Sequence, residues 1–207
     1  VIRNYRWEDY PQWKDDAEQI SRIKQKIRSA ETANELLGIE GMCSNIYFRA
    51  FGHMFLCDFE FPGRNRRPPR DPINVIISLG YTFLTKEICS VLEAESFEPY
   101  LGFLHGIRYG RKSLALDMIE EFRQPVTDRM ALKMFNKRML SQYDFEMEGD
   151  RVILSTDGFR KFCAEYEKWM TGKAAGAGSP GFRGIIRKQA ACLKQCIQKG
   201  TEYVPFR

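Results

Sequence analysis

At 207 residues, 43% hydrophobic and 13% aromatic with 15 Phe and 9 Tyr, the chain can build one packed domain and is not a disordered one. A net charge of +5 with 27 acidic residues interspersed is compatible with a polyanionic partner without demanding one. Six Cys with no CxxC pair and only two His argue against a structural zinc site. The lack of a signal peptide or an apolar run of about 18 residues argues against a secreted or membrane protein.

The reading is therefore a cytoplasmic protein with no membrane partner, whose thiols are reduced and mostly buried. Val1 in place of Met, followed by residues that read as mid-chain, predicts a fragment of a longer protein. Asp15–Ala30 carries Ala17, Ile20, Ile23 and Ile27 at helical spacing. Thr32–Phe55, with Leu36, Leu37, Ile39, Ile46, Tyr47 and Phe51, predicts a long buried helix. Phe61–Arg70 (FPGRNRRPPR) is broken by Pro62, Gly63, Pro68 and Pro69 and reads as a strongly basic loop.

Asp71 and Pro72 supply an N-cap and a first-turn proline for a helix running through Leu92. Glu98–Gly110 is a loop bearing His105. Ser113 is predicted to cap a helix from Leu114 to about Lys137, bent by Pro125. Phe145–Met147 and Arg151–Leu154 flank Glu148-Gly149-Asp150 as a small hairpin. Thr156 is predicted to cap a helix through Trp169. Residues 171–181, rich in Gly and Ala, read as a flexible loop, and Phe182–Lys199 as a last helix stopped by Gly200. The fold class is mainly α, with about seven helices and one small β-hairpin.

Three acids lie close together on the predicted helix after Ser113. Asp117 and Glu120 are three apart and share a face, with Glu121 beside them. Glu40 sits between Gly38 and Gly41, which a helix tolerates best where a backbone or ligand approaches closely. Taken alone, the acid pair reads as a solvated stripe and His105 as a satisfied core group. One His with two or three carboxylates is nevertheless a donor set suited to Mg²⁺ or Mn²⁺. Spacing leaves open whether Glu40 and Glu120 meet. Arg64, Arg66, Arg67 and Arg70 of the basic loop can contact phosphates, and Arg108, Arg111 and Lys112 put positive charge beside His105.

In order along the chain, IRN, ANELLGIEGMCSNIYF, RNRRPPRDPINVIISLGYTFL, EPYLGFLH, GRKSLALDMIEEFR and EYVPF resemble the CRISPR-associated spacer-acquisition integrases, the first protein of the adaptation module. The resemblance implies a helical catalytic domain over residues 1–207, with 1–14 as the tail of an interdomain linker and the family's N-terminal β-domain absent. It implies that Glu40, His105 and Glu120 hold Mg²⁺ or Mn²⁺, with Asp117 placed beside the ion in a positioning role. The implied reaction inserts double-stranded prespacer DNA into the CRISPR leader–repeat by 3′-hydroxyl attack on a phosphodiester. The implied partners are a second copy of the chain, a small ferredoxin-like second adaptation protein, and in some relatives a RecB-like iron–sulfur nuclease, fused or separate. Tyr109, Lys112 and Gln124 replace prolines usual in the family, which bears on loop shape and on no ligand. A metal-dependent repair nuclease and a non-catalytic nucleic-acid-binding adaptor remain the rival readings.

Overall fold

The computed structural model describes residues 10–65, 67–172 and 180–206. Arg66, residues 1–9 of the expected linker tail and residues 173–179 of the expected loop lie outside them. Among the described residues are seven α-helices and one hairpin: α1 (Trp13–Gln25), α2 (Ala33–Gly52), α3 (Pro72–Ala94), α4 (Ser113–Phe122), α5 (Arg129–Asn136), β1 (Phe145–Glu148), β2 (Arg151–Leu154), α6 (Thr156–Met170) and α7 (Gly181–Lys199). α1 begins inside the stretch assigned to the linker.

α3 is the central element. Asp71 caps it, its side chain accepting from the Asn74 backbone N–H at 2.8 Å, and Pro72 fills the first turn where no donor is missed. Ile73, Ile76, Ile77, Leu84, Ile88 and Leu92 are fully buried, against α4, α5, α7 and β2. α3 does contain an 18-residue window apolar enough to cross a membrane, contrary to the sequence reading, and half of that window is buried inside the fold. Its apolar surplus packs the domain interior.

α2 is less buried than expected. Its C-terminal half contributes Ile46, Phe48, Ala50 and Phe51 to the interior, whereas its first half, with Glu40, borders solvent. The buried half feeds an aromatic cluster: Phe51 meets Phe55 and Phe61 edge-on, and Phe55 and Phe59 meet Phe135 on α5.

The helix predicted from Leu114 to Lys137 is three pieces. Between α4 and α5, Arg123–Asp128 forms a π-helical turn. Pro125 has no N–H to donate and its ring crowds the preceding turn, so the ladder widens there instead of bending smoothly. Two cap assignments shift. Ser113 is the first residue of α4, its hydroxyl donating to the Gly106 carbonyl at 2.9 Å, and Ser155, not Thr156, caps α6. In the hairpin, Glu148 pairs with Arg151. The turn is therefore the two residues Gly149-Asp150, with Gly149 at φ +65°. Of the six thiols only Cys89 is buried; the other five are partly exposed, and all six are free.

Candidate active site

The three acids of α4 have three different partners. Asp117 holds the preceding loop: Oδ2 accepts the backbone N–H groups of Phe103 (2.5 Å) and Leu104 (3.1 Å), and Oδ1 that of His105 (2.9 Å). Oδ1 also meets His105 Nδ1 at 2.6 Å. Glu121 holds the C-terminal segment, accepting from Tyr203 Oη and the Phe206 N–H, both at 2.6 Å, while Phe206 stacks on Phe122. Glu120, between them in sequence, faces a cleft of about 380 Å³ that Glu40 also lines, so α2 and α4 do bring these two together.

The two glutamates share one cation. Arg123 Nη1 lies 2.7 Å from Glu120 Oε1 and 3.9 Å from Glu40 Oε1. Beneath them Asp128 is fully buried and accepts Tyr47 Oη and Tyr81 Oη, each at 2.7 Å. Burial pushes the Asp128 carboxyl up to about 6, against the opposing pull of the two hydroxyls and of Arg123 and Arg64. The same burial and the neighbouring carboxyl hold both tyrosine hydroxyls well above their ordinary range.

The donor set fits a hard divalent cation in part. Two carboxylates converge on a shared positive charge, which is the chemistry a metal would need there. His105 presents Nδ1 to a carboxylate, which in the neutral ring favours the tautomer with the proton on Nδ1 and the lone pair on Nε2, the arrangement typical of a metal-ligating histidine. His105 does not line the cleft with Glu40 and Glu120, and no group of three or more ligand-type side chains is gathered among the described residues.

Gly38 and Gly41 have open space where a Cβ would stand, so no described backbone makes the close approach expected at Glu40. In the loop that carries His105, the crowded glycine is Gly102. A Cβ there would fall 2.6 Å from the His105 carbonyl and 2.7 Å from Asp117 Oδ2. Sequence reasoning missed Arg123, Asp128, Tyr47 and Tyr81 as cleft residues. Arg123 had a readable signal, three residues after Glu120 on one helical face. The buried carboxyl with two tyrosines had none, because its three members come from three elements.

The basic residues separate. Arg64 turns inward, Nη1 donating to Asn74 Oδ1 at 2.7 Å, and lies 5.5 Å from the Tyr81 ring. With Arg67 and Arg123 it lines a second cleft of about 200 Å³. Tyr81 and Arg123 line both clefts. Arg70 pairs loosely with Asp150 at 3.7 Å, Lys112 with Glu93 at 3.7 Å, and Arg111 donates to the Gly106 carbonyl. Arg67 and Arg108 are exposed.

This arrangement can be set beside known proteins. The profile of CRISPR associated protein Cas1 matches residues 1–168. The chain belongs to the Cas1 family. It is 41% identical over 197 residues to a CRISPR-associated endonuclease Cas1 of Thermus thermophilus, covering 92% of this chain and 59% of that protein. It is 39% identical over 157 residues to a CRISPR-associated exonuclease Cas4/endonuclease Cas1 fusion of Rhodospirillum rubrum, covering 73% of this chain and 27% of the fusion. Among solved structures, a chain of a partial Cas6-RT-Cas1–Cas2 complex superposes with a TM-score of 0.83 at 25% identity, covering 94% of this chain and 59% of that one. The chain thus spans about three-fifths of the Thermus relative, and the mainly helical Cas1 fold with one small hairpin is the one expected from sequence.

Proposed function

We propose that residues 1–207 form the helical catalytic domain of a metal-dependent DNA integrase and endonuclease of CRISPR adaptation and antiviral defence. The observation that carries this reading is the convergence of Glu40 and Glu120 on one cation, with His105 Nδ1 held by Asp117. Membership of a family whose named relatives are endonucleases supports the reaction class. Glu40, Glu120 and His105, through Nε2, would hold Mg²⁺ or Mn²⁺. When bound, such an ion polarises a phosphoryl oxygen and lowers the pKa of an attacking hydroxyl. In this reading a 3′-hydroxyl of duplex prespacer DNA attacks the phosphodiester at the repeat border. Its oxygen replaces the 3′-oxygen of the target strand, and that strand leaves with a free 3′-hydroxyl. With water as the nucleophile the same site cuts.

The chain's own residues orient and hold. Asp117 fixes the tautomer and position of His105 by gripping the loop that carries it. Arg67 and Arg108, exposed, supply phosphate contacts, joined by Arg66, Arg70, Arg111 and Lys112; Arg64 contributes by lining the basic cleft. The partners proposed are double-stranded DNA, a second copy of the chain, and the small ferredoxin-like second adaptation protein. The fused Cas4/Cas1 relative supports a RecB-like nuclease as a further one, and the structural match to a chain of a Cas6-RT-Cas1–Cas2 complex supports the second adaptation protein. The cytoplasm is the compartment this reading calls for.

The test is strand transfer into a repeat-bearing plasmid. In the full-length protein, Glu40→Ala, His105→Ala and Glu120→Ala are each expected to abolish integration and leave duplex affinity within about threefold. Near-normal integration by any one of them would remove it from the site. A non-catalytic adaptor, in which the acids serve only as an ion pair, is favoured by the Arg123 contact with both glutamates. That version requires that calorimetry detect no Mn²⁺ binding.

A further inference from the structure

The wall shared by the acidic and the basic cleft is the Arg123 side chain resting on Tyr81, its guanidinium carbon 5.1 Å from the ring centroid. Glu40, Glu120 and Asp128 line the acidic side, and Arg123 is the one cation lining it among the described residues. Its seat is defined by charge more than by a full set of hydrogen bonds. Nη1 serves both glutamates, yet Nε is buried without a hydrogen-bond partner among the described residues. A guanidinium lodged for its own sake would satisfy its donors. The Tyr81 ring beneath it is fixed by the hydroxyl bond to Asp128, and Arg64 and Arg67 mark a second cleft into which the side chain has room to turn.

We propose that Arg123 is a resident counter-cation of the Glu40–Glu120 pair, occupying the place of a divalent ion when none is bound and giving it up when one binds. The inference rests on the metal reading of the same site. A divalent ion drawn to Glu120 Oε1 would stand within a few ångströms of the guanidinium, in a cleft where charges are poorly screened. The two cations repel across that short distance, so the ion and Arg123 in its present seat compete for the same carboxylate charge and the binding of one weakens the hold of the other. The arrangement lowers metal affinity below that of the bare carboxylates, and it keeps two facing acids from repelling when no ion is present. Arg123 is thus a positioning residue for the acids, and the helix face on which it lies is set by the π-turn that begins with it.

The test is titration of Mn²⁺ into the full-length protein by calorimetry, comparing wild type, Arg123→Gln, Arg123→Lys and Glu40→Gln. Arg123→Gln is expected to bind Mn²⁺ about tenfold or more tightly than wild type, because a competing charge is gone. Arg123→Lys is expected to stay close to wild type, which a purely structural role for the guanidinium would not produce. In chelator, Arg123→Gln should melt at a lower temperature, and Mn²⁺ should restore it. Unchanged or weaker Mn²⁺ binding by Arg123→Gln, with wild-type binding still lost in Glu40→Gln, would overturn the proposal and leave the metal reading standing. No Mn²⁺ binding by wild type would sink both. Should Arg123→Gln fail to fold, the wild-type protein still decides: the Arg123 side-chain ¹⁵N signal must shift on Mg²⁺ titration, and a stationary signal refutes displacement.

Discussion

Asp128 illustrates how much a single residue carries in this cleft. Its carboxyl is pushed up to about 6 by burial, above the value near 3.9 of an unfolded aspartate. Between about pH 4 and pH 6 the folded protein therefore keeps a proton that the unfolded chain has released. Stability falls as pH climbs through that window and remains lower above it. Asp128→Asn should abolish this slope, a difference of about 3 kcal/mol between acid and neutral pH relative to wild type. Urea unfolding in chelator from pH 4 to pH 8 measures it. Parallel pH profiles for the two proteins would show that the carboxyl is not the titrating group. Gly102 is a second such residue. Gly102→Ala would drive a methyl into the His105 carbonyl and Asp117, and about 1–3 kcal/mol of destabilisation is expected from the forced shift.

At the scale of elements, the loop between α3 and α4 is organised around one carboxylate. Asp117 takes three successive backbone N–H groups, and Ser113 and Arg111 tie the Gly106 carbonyl from the other side. Asp117→Ala should release the amides of Phe103, Leu104 and His105. Hydrogen exchange at these three is expected to quicken by about tenfold or more, while the buried amides of α3 keep their protection. Equal acceleration in α3 would mean general unfolding instead. Elements of this length were legible in the sequence wherever periodicity or a local cap marked them: α3 by Asp71 and Pro72, α7 by Gly200, the hairpin by Gly149. The π-turn was only half legible. Pro125 announces an interruption, but whether a helix bends or widens depends on what packs around it, and Thr127 pressed against Gly80 is a long-range fact. The burial of α2 was overestimated because its apolar residues are spread all round the helix while only its C-terminal half meets the core.

At the scale of the whole molecule, two clefts of opposite charge abut along Tyr81 and Arg123. The arginines of the basic loop accordingly should not behave alike. Arg67→Ala, at an exposed position, is expected to weaken duplex binding and to reduce the slope of log affinity against log salt by about one. Arg64→Ala should act mainly on stability, since its guanidinium is bonded inward to Asn74 and rests on Tyr81. Identical salt slopes for Arg67→Ala and wild type would remove Arg67 from the proposed DNA surface. Sequence alone grouped these arginines by proximity in the chain; only the turn of the backbone between Gly63 and Asp71 divides them. The pairing of Glu40 with Glu120 was likewise beyond spacing, being 80 positions apart. Resemblance proposed it, and the structure has both residues line one cleft beside Arg123 while His105 has a separate partner in Asp117.

The grip of Glu121 on Tyr203 and Phe206 has a consequence in time. A protein is made from its N-terminus, and its parts settle in roughly that order. Glu40 and the α4 acids emerge early, but Phe206 cannot stack on Phe122 until nearly 85 further residues have been added. The helix that presents Glu120 is therefore clamped well after it has been made. A nascent chain that has made α4 but not Phe206 carries these acids without the clasp that steadies them.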